Sequence, residues 1–243
     1  MYVERSLSRI HADWACMLGE SRRLREEHFR EEVLMYARAM MRRAREALEL
    51  IVQTLRSTGY RFVEKDRVLI GPEAGIDAWL REQEQFGIYV PLSVQAWLIE
   101  VGSVNLMGSH PEWPRPAYLF EAATSEGVWY TDPLVIDLSR EGILGMYHEW
   151  KYRRQEDGEY DAGPFRLEFA PDNIHKANVS GGPPYEVDAF EPSVDAVVLN
   201  ERMGHTFVAH VRHALAWGGF PGFRYFADVP ESAKPYVTGG IAI

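Results

Sequence analysis

An apolar stripe over residues 33–55 limits this chain's folding more than any other feature. Val33, Ala37, Met40, Met41, Ala44, Leu48, Ile51, Val52 and Leu55 recur at steps of three and four, the period of an amphipathic helix. The spacing predicts one long helix from about Arg23 to Ser57, with Gly59 just past its last periodic residue as the C-terminal cap. At the usual rise per residue it spans roughly 50 Å, more than a small domain needs to cover its own core. Two readings stay open: the stripe packs on the chain's own domain, or the Ala37–Arg43 segment serves as a self-association or docking face. Upstream, Trp14, Met17 and Leu18 are spaced for a short helix or a docked arm.

Beyond Gly59 the pattern becomes mixed. Residues 60–63 and 68–70 read as short strands around a charged turn and are expected to pair as a hairpin. Ile76, Trp79, Leu80 and Gln83 predict a helix ending near Gly87, and Val94, Trp97, Leu98 and Val101 a second one opened by Pro91. Residues 102–116 form a Gly- and Pro-rich loop that carries Trp113. Strands are expected at 118–120, 128–130 and 134–137, then a helix over 143–154 and an acidic loop over 156–163. Phe165, Leu167 and Phe169 alternate with Arg166 and Glu168 as in a half-buried strand, and Phe207, Val211, Ala214 and Leu215 mark a last helix over about 206–217. Residues 194–199 read equally as strand or turn.

Between these elements lies Asp172–Tyr185, a polar segment with Gly181, Gly182, Pro183 and Pro184 at its centre. Glycines free to take positive φ beside prolines of fixed φ predict an ordered loop. It offers Lys176, Asn178, Ser180 and Tyr185 either to a polar partner or to its own turn hydrogen bonds.

The charge is uneven. The whole chain carries −10, yet residues 1–50 hold 10 Lys and Arg against 9 Asp and Glu, which leaves 16 against 27 for residues 51–243. Such a body repels phosphate backbones, so direct nucleic-acid binding is not expected, while a basic protein partner is favoured. With 46% hydrophobic residues in 243, the chain can bury a sizeable core. No apolar run approaches membrane-spanning length and the first residues do not resemble a signal peptide, so a cytoplasmic protein without a membrane partner is expected. Cys16 is the only cysteine and makes no internal disulfide.

The order of short motifs resembles the SUKH superfamily, in one bacterial branch, over about residues 59–243. The residues that carry the resemblance are Leu69–Glu73, Val90–Ser93, Val101–Gly102, Tyr130–Leu134, His175–Tyr185, Phe207–Arg212 and Trp217–Gly222. The resemblance implies an α+β domain with a central, mainly antiparallel sheet and packed helices. It also implies a protein-interaction role, which in many bacterial members is that of an immunity protein neutralising a toxin, often a nuclease. It brings no shared catalytic residues, and the N-terminal helix lies outside it. The expected organisation is a helical extension over 1–58 followed by the α+β domain over 59–243.

Catalytic and metal readings are weaker. Asp172, His175 and Ser180 supply an acid, a base and a nucleophile, which leaves a hydrolase using His175 and Ser180 as an alternative, but no nucleophile elbow surrounds Ser180. His210 and His213 lie three apart on the last helix without a third ligand at matching spacing. No cofactor, metal or catalytic residue is therefore assigned. The expected function is non-catalytic binding of another protein, a cognate toxin with a basic, nuclease-like surface. The other alternative is a scaffolding module that forms a homodimer through the N-terminal helix. The candidate partner contacts are Trp113, Glu156, Asp157, Glu159, Tyr160, Lys176, Ser180 and Tyr185, taken as exposed aromatic and polar positions of the loop layer.

Overall fold

A computed structural model describes residues 7–111, 121–124, 127–156, 163–179, 181–226, 229, 231–233 and 243. The fold is α+β, as expected. α1 (Leu7–Leu18) and a 3-10 turn (Ser21–Arg25) lead into α2 (Glu27–Ser57), whose twelve buried residues include the whole predicted stripe. α3 (Ile76–Gln83) runs through a 3-10 turn to Gly87, which takes positive φ, and α4 (Leu92–Glu100) follows with Pro91 as its N-cap. α5 (Arg140–Glu156), the single turn α6 (Asn173–Lys176) and α7 (Phe207–Ala216) complete the helices among the described residues.

The stripe of α2 faces the chain's own core. Its buried residues join those of α4, α7 and the strands in one cluster, so residue 58 marks no break between cores. Polar contacts reinforce this packing. Arg38 and Arg42 of α2 both pair with Glu100 at the end of α4, and the Arg45 guanidinium donates to the Glu100 carbonyl at 3.2 Å. Met35 and Leu50 are the large apolar side chains that α2 leaves exposed.

Among the described residues every strand pairing is antiparallel, in four small sheets. β1 (Arg61–Phe62) pairs with β4 (Gly108–Ser109), and β2 (Leu69–Ile70) with β3 (Ser103–Asn105), which also pairs with β7 (Val135–Ile136). The hairpin expected from residues 60–70 therefore does not form. Segment 103–109 instead supplies partners to both strands: Val63 N–H donates to the Met107 carbonyl at 2.9 Å and Asn105 N–H to that of Val68 at 3.0 Å. This brings Val104 and Leu106 into the core, a gain that local pairing would forgo.

β5 (Glu121–Thr124) and β6 (Gly127–Tyr130) form a hairpin, and β8 (Arg166–Ala170) pairs with β9 (Tyr185–Asp188). Phe165, just before β8, meets the rings of Tyr147 and Trp150 at 5.2 and 5.6 Å, which seats α5 beside that strand. No helix among the described residues is long and apolar enough to cross a membrane.

A 3-10 turn, Pro221–Tyr225, closes over the end of β6, where Gly222 N–H donates to the Thr131 carbonyl at 3.0 Å. A Cβ at Gly222 would stand 1.7 Å from the Tyr130 carbonyl oxygen, so backbone would have to move. Gly222→Ala is expected to cost about 3 kcal/mol or more, read as a lowered urea midpoint at unchanged slope.

Candidate functional site

The segment after β8 is ordered by Asp172. Its carboxylate caps α6, accepting from Ile174 N–H at 3.0 Å and His175 N–H at 2.6 Å, and its Oδ1 also lies 3.0 Å from His175 Nδ1. Gly181 and Gly182 fold back on this cap. Neither is among the glycines at positive φ. They are needed for close approach instead: a Cβ would stand 2.7 Å from Ile174 Cβ at Gly181 and 2.9 Å from Asp172 Oδ2 at Gly182. The freedom of these glycines to take positive φ is thus not used, and among the described residues of the loop Asn178 has a positive φ.

Capping turns Lys176 inward. Its Nζ donates to Asp132 Oδ1 at 2.7 Å and lies 4.7 Å from the centre of the Tyr185 ring, with the side chain only 1% exposed. Tyr185 donates its hydroxyl to Asp132 Oδ2 at 3.2 Å. Burial, followed by the negative charge of Asp132, holds that phenol well above its usual pKa, so it stays a donor. Asp132 adopts a left-handed backbone, φ 49°, which places both of its oxygens against these donors.

His210 of α7 closes the cluster, its ring 5.7 Å from that of Tyr185 and 6.1 Å from that of Phe169. Its Nε2 is buried without a hydrogen-bond partner. Desolvation, opposed by Asp132 and aided by Lys176, His205 and His213, lowers its pKa to about 3, so the ring is neutral at pH 7. Asp132, Lys176, Tyr185 and His210 thus form a closed polar junction between β6, α6, β9 and α7.

Lys176 and Tyr185 were expected as exposed partner contacts, and both are buried. The correction has a clear cause: the N-cap orients Lys176, while Tyr185 is the inward residue at the start of β9. Glu156 ends α5, and its side chain lies outside the described residues, as do Trp113, Asp157, Glu159, Tyr160 and Ser180. Asp172 and His175 do touch, but the carboxylate is already engaged by two backbone amides. His213 lies against His205, ring centres 5.1 Å apart, while His210 turns into the junction. No group of three or more His, Cys, Asp or Glu suited to a metal occurs among the described residues.

On the other side of β8 and β9 the same pairing builds an outward face. Glu168 stands directly opposite Glu186, and Arg166 opposite Asp188. The Arg166 guanidinium serves Asp188 at 3.1 Å and Glu186 at 3.6 Å, while Glu168 makes no ion pair among the described residues. Leu199 bridges Glu186 from the far side of β9, N–H to carbonyl at 2.8 Å, so Leu199 and Val197 share this face; Val197 is 51% exposed. Partial burial, then the nearby charges of Glu168 and Asp188, raise the Glu186 pKa against the opposing pull of Arg166.

Two outcomes follow for the interior junction. Lys176→Met is expected to destabilise by about 3 kcal/mol because it removes the cation from a carboxylate only 14% exposed, whereas Lys176→Met combined with Asp132→Asn, which keeps an acceptor for Tyr185 and tolerates the left-handed backbone, recovers much of the loss; urea titration of both variants checks this. His210, with a folded pKa of about 3 against 6.5 in the open chain, binds fewer protons folded than unfolded as pH falls below 6.5. Its share of stability is complete above that pH and is lost on acidification, by about 2 kcal/mol at pH 5; His210→Phe removes this part of the acid slope in denaturation measured at pH 7.5 and 5, while the part due to His213, which burial lowers to about 4, stays.

Compared with known proteins, the chain matches no family model, no curated protein and no solved structure.

Proposed function

We propose that this chain is a non-catalytic, cytoplasmic protein-binding domain of immunity type, which neutralises a toxin by covering the basic, nuclease-like surface that the toxin uses for its substrate. The observation that carries this reading is the charge balance: residues 51–243 bear 27 acidic groups against 16 basic ones. Such a field draws in a basic partner rapidly and discourages acidic ones.

The side chains with catalytic character support the same reading. Asp132, Lys176, Tyr185 and His210 satisfy or bury one another in the interior, and Asp172 holds a helix cap. The carboxylates of the β8–β9 face, by contrast, point outward. Self-association through α2 has less to draw on, since Met35 and Leu50 are its exposed large apolar residues and the stripe itself is buried.

Co-expression with the toxin encoded beside it in the genome tests the proposal. The expected result is protection of the cells and a purified complex whose Kd rises steeply with salt. Absence of both protection and complex with every adjacent toxin overturns it.

A further inference from the structure

We propose that the outer face of β8, β9 and the 197–199 segment is the docking surface, and that it takes a basic protein surface presenting clustered lysines or arginines. The inference rests on the protein-binding reading above and adds the place and the chemistry of recognition.

Three observations converge on it. Antiparallel register sets Glu168 directly across from Glu186, an arrangement of like charges that weakens a sheet. Arg166 relieves one side only, since it is shared between Glu186 and Asp188 while Glu168 has no ion pair among the described residues. Glu186 is also partly withdrawn from water, with its side chain 15% exposed. A carboxylate held in that way gains more from an arriving cation than a fully hydrated one does.

The third observation is apolar. Leu199 and the exposed Val197 border the carboxylates on the same face. Lysine and arginine carry aliphatic stems behind their charged heads, so one such side chain can lie on Val197 and Leu199 while its head reaches Glu186 or Asp188. A purely anionic strip would attract cations without this second contact. A purely apolar one would not select them.

The face therefore carries a repulsion that a basic partner relieves, and that relief supplies the test. Glu168→Lys places a cation opposite Glu186, so the variant is expected to fold better than the parent, with Tm raised by about 2 °C. The probe is a hexa-arginine peptide titrated into the isotope-labelled full chain, with amide shifts expected at 166–168, 186–188 and 197–199. Glu168→Lys should weaken peptide binding about tenfold, whereas Glu82→Lys, on an exposed position of α3 and with the same change in net charge, should alter it by less than about twofold.

Equal weakening by the two variants, shifts that map to another face, or a Tm that falls in Glu168→Lys would each overturn the proposal. The two readings also fail separately. If a toxin is bound and Glu168→Lys protects cells as well as the parent does, the docking face is wrong and the immunity reading stands. If no toxin is bound and the peptide still maps to this face, the face stands and the immunity reading falls.

Discussion

The bond between Lys176 and Asp132 is the contact that ties α6 and β9 to the end of β6. A charge is expensive to place in an apolar interior, and the attraction offsets that cost only where geometry and further hydrogen bonds are good. Here one carboxylate receives an ammonium and a phenol, and the backbone of Asp132 is bent into the left-handed region to present both oxygens. The elements that bring these groups together, β6, α6 and β9, are short. Their relative positions are thus held by the polar junction as much as by their own ladders.

The two faces of the β8–β9 pair divide the labour. Inward, Leu167, Phe169, Tyr185 and Val187 fill the core. Outward stands a row of carboxylates with one arginine among them, Glu168 and Asp188 in water and Glu186 partly withdrawn from it. A one-residue slip would exchange the two sets, so the apolar side fixes which charges are displayed. The display can then remain electrostatically unfavourable, because the register is determined from the other side of the sheet.

Much of the fold was legible because it is periodic. The stripe of α2, the helices around Leu80, Trp97 and Val211, and the alternation of β8 all follow from local spacing. What failed was non-local. Strands of two residues carry too little pattern to name their partners, so the segment around Leu106 that separates β1 from β2 was not foreseen. The junction was hidden for the same reason: Asp132 and Lys176 stand 44 residues apart and the sequence shows no mutual signal. One signal was available. Tyr185, Glu186, Val187 and Asp188 alternate as β8 does, and that pattern places Tyr185 inward and Glu186 outward.

The closed junction also bears on the order in which this chain folds. Neither Asp132 nor Lys176 can leave water alone at tolerable cost, so the two must be dehydrated in a single event, after the chain between them has been brought into place. The interior around the junction thus closes as one step, and a chain that buries either partner ahead of the other carries an uncompensated charge.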